Sequence, residues 1–139
     1  MTADTLGSIL QRARQLQQNK QAAAIVTLVA DRTGAPAEPG ARMLVEADGT
    51  ATGGIGPKVD AILLADALDQ LTRNRSELHS YELQRDGARK VKRGAGDLDV
   101  FFEVIGRPPR IIVAGAGHIA VPLIHLAALL DFETIVLDD

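Results

Sequence analysis

Gly115-x-Gly117-x-x-Ala120, with an acid at Asp138, is the group of residues whose types and spacing most directly suggest chemistry. A hydrophobic run, Arg110-Ile111-Ile112-Val113-Ala114, leads into it, and an apolar stretch from Val121 to Leu130 follows. A second run, Thr134-Ile135-Val136-Leu137, then ends in Asp138-Asp139. The order strand, glycine turn, helix, strand, acid is the dinucleotide fingerprint. In it Gly115 permits the tight turn, Gly117 lets a pyrophosphate approach the backbone, and Ala120 lets the helix pack close to the strand. The helix N-terminus offers unpaired N–H groups and a partial positive charge to phosphates. Asp138 can accept hydrogen bonds from ribose hydroxyls. The same glycines also serve a plain strand-to-helix turn, so the pattern specifies the β-α-β unit more firmly than its ligand. His118 is either a simple first-turn residue or an imidazole facing a ligand.

The remaining reactive side chains are sparse. There is no cysteine, which excludes disulfides, thiolate metal sites and a Cys nucleophile. His79, His118 and His125 are scattered and Tyr81 is the single tyrosine. No Tyr-x-x-x-Lys pair or Ser/His/Asp arrangement is visible, so no catalytic constellation is expected. His125 is expected in a core or an interface. The formal net charge of −3 argues against nucleic acid as a partner. The one basic run, Arg89-Lys90-Val91-Lys92-Arg93, reads as a solvated strand and loop. No apolar run reaches the roughly 20 residues needed to span a bilayer, and no signal peptide opens the chain. A soluble cytoplasmic protein without membrane contact is the expectation.

The elements that would position these residues can be read from periodicity. With 46% hydrophobic but only 3% aromatic residues, the core must be built from Ala, Val, Leu and Ile, which suits buried parallel strands with helices laid on them. Residues 5–18 carry Leu6, Ile9, Leu10, Ala13 and Leu16 at helical spacing. Residues 22–30 form an apolar, β-branched strand, and 31–40 a Gly/Pro loop. A strand over 41–47 turns at Asp48-Gly49 and returns along 50–52. Gly53-Gly54-Ile55-Gly56-Pro57 breaks regular structure, and a helix follows over about 58–75, with Pro57 at its start. A hairpin around Asp86-Gly87 is expected, then a strand over 98–105 with Leu98, Val100, Phe102 and Val104 on one face. Gly106-Arg107-Pro108-Pro109 is the expected boundary. The fold class is therefore α/β: an N-terminal α/β module, residues 1–106, followed by residues 107–139 as the truncated start of a Rossmann-like nucleotide-binding domain.

Gly-Ala-Gly-His-Ile-Ala at 115–120 and Val-Leu-Asp-Asp at 136–139 resemble the C-terminal domain of the XdhC/CoxI family. The first half is similar too. Thr33-Gly34-Ala35-Pro36, Pro39-Gly40-Ala41-Arg42-Met43, the Asp48-Gly49 turn, the Gly53-Gly54 pair and Leu98-Asp99-Val100-Phe101-Phe102-Glu103 match family motifs, so the resemblance runs over residues 5–139. It departs where many members carry cysteines: this chain has Gly53-Gly54-Ile55 for Gly-Gly-Cys and Gly94-Ala95-Gly96 for Cys-Gly-Gly.

The resemblance implies an accessory protein, closer to a chaperone than an enzyme, that handles molybdopterin (the molybdenum cofactor) and inserts it into a molybdenum hydroxylase such as xanthine dehydrogenase. Its binding residues would be Gly115, Gly117, His118 and Asp138 in the second module. Arg42, Gly53 and Gly54 would serve in the first. Implied partners are an apo molybdenum hydroxylase and a cysteine desulfurase, with the chain a homo-oligomer or paired with a longer relative. Two alternatives stand beside it: an NAD(P)-binding oxidoreductase fragment, and a non-catalytic interaction subunit that completes a partner's sheet.

Overall fold

A computed structural model describes residues 3–34 and 38–138; Ala35, Pro36 and Asp139 of the motifs above lie outside the described residues. The chain divides into two compact units, Met1–Gly106 and Arg107–Asp139.

In the first unit the elements run α1 (Ala3–Gln18), β1 (Ala23–Asp31), β2 (Arg42–Glu46), β3 (Ala51–Gly53), α2 (Asp60–Arg73), β4 (Glu77–Gln84), β5 (Gly87–Val91) and β6 (Leu98–Ile105). The strands form one sheet in the order β3-β2-β1-β6-β4-β5. Every neighbouring pair is antiparallel. The parallel strands expected from the aliphatic composition are absent here, because short turns join β2 to β3 and β4 to β5, and such turns reverse the chain. At the first turn the Asp48 carboxylate accepts the Thr50 N–H at 2.9 Å and Gly49 takes φ +87°. Both settle a conformation that other residues adopt poorly.

Strand alternation gives the sheet two different faces. One carries Val26, Leu28, Met43, Val45, Val100 and Phe102, which pack with Leu63, Ala67 and Leu71 of α2 into the main core. Each such large side chain stabilises by about 1.5–3 kcal/mol on burial. The opposite face carries Ala23 and Leu44, packed with Ile9, Ala13 and Leu16 of α1. Helix α1 lies mainly over β3, β2 and β1, with Ile105 of β6 packed at its edge. Helix α2 starts at Asp60, later than Pro57 suggests, and ends where Asn74 adopts φ 51° and donates its N–H to the Gln70 and Leu71 carbonyls.

The second unit contains β7 (Arg110–Ala114), α3 (Ala120–Leu129) and β8 (Glu133–Leu137). Strands β7 and β8 are parallel, in register from Arg110↔Glu133 to Ala114↔Leu137. A helix between two parallel strands is the crossover that parallel pairing requires. Val113, Ala120 and Ala127 are buried, but Ile112 is 64% and Leu129 82% exposed. One helix covers only one face of a strand pair, so much of this apolar surface stays bare. His125 is exposed on α3 rather than in a core. Among the described residues, no helix is long and apolar enough to cross a membrane.

Candidate functional site

In the second unit the backbone builds an open turn. Gly115 leaves β7 at φ +98°, a conformation glycine adopts without penalty. Its N–H donates to the Leu137 carbonyl at 2.6 Å, which pins the turn to the end of β8. The Ala120 N–H donates to the Gly117 carbonyl at 2.8 Å and opens α3. Between them the amides of Ala116, Gly117, His118 and Ile119 have no hydrogen-bond partner among the described residues. A Cβ built on Gly115 or Gly117 meets nothing within 4 Å. Ala114, Gly115, Leu137 and Asp138 line an open cleft of about 320 Å³ beside this turn. The His118 side chain is exposed in the turn just before α3. Four of the seven candidate residues therefore share one locus: free amides, open space for a phosphate, an imidazole at the helix start and a carboxylate at the strand end. This chemistry suits the phosphate and ribose portions of a nucleotide-like group.

Arg42, Gly53 and Gly54 come together in the first unit, where the local chemistry differs. Gly53 takes φ +80°, and a Cβ there would lie 2.7 Å from the Arg42 carbonyl oxygen and 2.8 Å from Ile9 Cδ1. A Cβ on Gly54 would lie 2.8 Å from an Asp60 carboxylate oxygen. The N–H groups of Ile55 and Gly56 both donate to Asp60 Oδ1, at 2.8 and 2.9 Å. An internal carboxylate thus fills the place an external anion would take, and these glycines serve close approach of the chain to itself. Arg42 is different: its Nε is buried without a hydrogen-bond partner, so it retains an unmet donor.

Two polar clusters escaped sequence reasoning. Tyr81 donates to Asp66 Oδ2 at 2.5 Å, His79 Nδ1 lies 3.4 Å from the Tyr81 hydroxyl, and Lys90 Nζ lies 3.2 Å from His79 Nε2. Glu77 Oε2 completes the group, 3.3 Å from His79 Nε2. Burial, and secondarily the Asp66 hydrogen bond, push the Tyr81 phenol well above its ordinary range, so it stays a protonated donor. The cluster ties α2 to the β4–β5 hairpin. On the other face, buried Ser80 donates to Asp99 Oδ1 at 2.6 Å and accepts the Gly94 N–H at 2.8 Å. Arg32 donates to the second Asp99 oxygen and to the Gly96 carbonyl at 3.1 Å. The Arg32 hydrogen bond, then that of Ser80, hold the Asp99 carboxyl below the usual carboxylate range. Among the described residues no group of three or more His, Asp or Glu is arranged to hold a metal.

Residues 16–82 match the XdhC and CoxI family. The chain is 32% identical over 133 residues to the uncharacterized protein YqeB of Escherichia coli (strain K12), covering 94% of this chain and 24% of that protein. It thus spans about a quarter of the length of the curated relative it matches. A crystal structure of a xanthine dehydrogenase from Bacillus halodurans matches 91% of this chain and 58% of its own at 17% sequence identity, with a TM-score of 0.31. The similarity to the XdhC and CoxI family thus covers residues 16–82, just under half of the chain.

Proposed function

We propose that this chain, similar to the XdhC and CoxI family over residues 16–82, acts in the maturation of a molybdenum hydroxylase of the xanthine dehydrogenase kind, as a cofactor-handling accessory protein. The family similarity supplies the reaction context. The observation that carries the local part is the run of four amides from Ala116 to Ile119, unpartnered among the described residues, beside a cleft that Asp138 lines. Molybdopterin brings a phosphate and a pterin ring, and NAD(P) brings a pyrophosphate and riboses. The amides and the α3 N-terminus would hold the phosphate, and Asp138 would accept from hydroxyl or ring N–H donors. His118 would add a cationic or neutral donor at the same edge. The bound cofactor would supply the redox chemistry of the target enzyme; this chain's residues bind and orient it. A cysteine desulfurase and an apo hydroxylase are the partners such a role requires.

Separate calorimetric titrations of molybdopterin and NADH test this reading. Saturable pterin binding, abolished in Gly117→Val and weakened in Asp138→Ala, is the expected result. Binding of NADH alone would shift the assignment to a nicotinamide oxidoreductase remnant. Binding of neither, at concentrations up to millimolar, would defeat the cofactor role.

A second reading draws on the bare apolar surface of the second unit. Ile112, Val136, Leu137, Leu126 and Leu129 are all exposed on two parallel strands and their helix. Parallel strands are normally covered on both faces, and exposed apolar patches of this kind mark interaction sites. Self-association, or pairing with a longer relative, would cover them. Light scattering of the purified chain tests it, and a strictly monomeric species would contradict self-association.

A further inference from the structure

The sheet face that carries α1 is only half covered. Register pairs place Arg42 opposite Thr27, Thr27 opposite Phe101, and Phe101 opposite Leu78. All four belong to the alternate set of positions from the core residues Val26, Met43, Val100 and Phe102, so they form one row across β2, β1, β6 and β4 on the α1 side. Helix α1 packs at the Arg42 end, where Ile9 lies beside Gly53. From Thr27 to Leu78 no helix lies over the row, and the Phe101 ring is 36% exposed. Ser76, Glu77, Leu78, Arg93 and Phe101 line a cleft of about 350 Å³ at its β4 end. That is within the size range of small-ligand sites.

The charges around this cleft are unequal. Arg32 is committed to Asp99, and Asp99 also holds Ser80. Glu77 is committed to Arg75 at 2.5 Å and to His79 at 3.3 Å. Arg93 makes no hydrogen bond or close ion pair among the described residues and acts on Asp99 only at longer range, helping to hold that carboxyl low. Glu103 faces the same side one row away, opposite Ile25, and sets a negative limit on that flank. A guanidinium without a direct hydrogen-bond partner therefore stands at the Asp99 side of an exposed aromatic ring. The Arg42 Nε, buried and unpartnered, closes the far end, three strand spacings or about 14 Å away.

We propose that this half-row is a binding site for a flat heteroaromatic ring bearing an anionic group, with the ring stacked on Phe101 and the anion on the Arg93 guanidinium. A guanidinium forks onto phosphate or carboxylate oxygens, and a half-exposed phenyl ring offers a face for stacking. The run Arg89–Arg93 then has a division of labour. Arg89 pairs with Glu82 and Lys90 with Asp66 inside the fold, whereas Arg93 is left for a ligand. The site is in the first unit and does not depend on the glycine turn of the second.

The test uses the full chain carrying Gly117→Val, so that the glycine turn cannot report. Flavin mononucleotide is titrated by fluorescence quenching, with riboflavin as the phosphate-free control. Saturable quenching is expected, about tenfold weaker in Arg93→Ala and about tenfold weaker in Phe101→Ala. Riboflavin should lose the Arg93 dependence while keeping that on Phe101. Circular dichroism melts of the two variants, both at exposed or half-exposed positions, should match the parent. Absence of saturable quenching up to millimolar probe, or an affinity unchanged in either variant, overturns the proposal.

Discussion

The turn at 53–56 hands its Ile55 and Gly56 amides to Asp60, whereas the turn at 115–119 leaves four successive amides without partners among the described residues. Both are glycine-rich and both precede a helix. The difference lies in the first turn of that helix: α2 begins with an acid, Asp60, and α3 begins Ala120-Val121-Pro122, with none. A carboxylate at a helix start competes with any external anion for the same donors. The comparison teaches that a glycine turn signals ligand binding only when no nearby side chain already fills it. The two units differ in packing in the same sense, since the first buries one sheet face and part of the other under two helices, whereas the second leaves Ile112 and Leu129 bare.

Substituting the glycines should separate the turns most strongly. Gly53→Ala forces a Cβ against the Arg42 carbonyl at positive φ and should cost about 2–4 kcal/mol in urea unfolding. Gly117→Ala meets open space and should stay within about 0.5 kcal/mol. Equal losses at the two positions would erase the distinction. Next in size, Asp60→Ala strips two N–H groups of their acceptor and should cost about 1–3 kcal/mol. Asp138→Ala, with no such partners to strand, should not change the melting temperature.

Acid should act on the first unit through its fixed carboxylates. Asp99 is held low chiefly by Arg32 and Glu77 chiefly by His79, so both protonate less readily folded than unfolded. Their contribution is present above the ordinary carboxylate range and is lost as pH falls through their depressed folded values. Stability should therefore decline on acidification below about pH 4. Asp99→Asn should flatten part of that decline in pH-dependent urea melts; an unchanged slope would show that Asp99 does not contribute. A similarly small effect on stability is expected at Leu129→Lys, within about 0.5 kcal/mol, because the side chain is already exposed. The same change should reduce any self-association seen by light scattering.

How much of this was legible in the sequence follows the range of the interactions. The β-α-β unit was readable because its turn, helix and flanking strands are local. The Asp48-Gly49 and Asp86-Gly87 turns were readable for the same reason. The capping of the first glycine turn was also within reach, since Asp60 lies four and five residues from the amides it binds. An acid at a helix start after a glycine run was the signal. The strand order was not readable, because β1 pairs with β6 across most of the unit. Nor were the buried clusters. Tyr81 meets Asp66 across 15 residues, and Arg32 meets Asp99 across 67, with no local pattern to announce either contact. The antiparallel sheet escaped an argument from composition alone, since aliphatic residues fill buried strands of either direction.

Amide NMR of the uniformly ¹⁵N-labelled chain, titrated with NAD⁺ as a stable pyrophosphate-bearing probe, compares the two turns in one experiment. The account predicts saturable shifts at Ala116, Gly117, His118 and Ile119, with Ile55 and Gly56 unmoved behind Asp60. Still signals at 116–119, or shifts of equal size at Ile55 and Gly56, would contradict it.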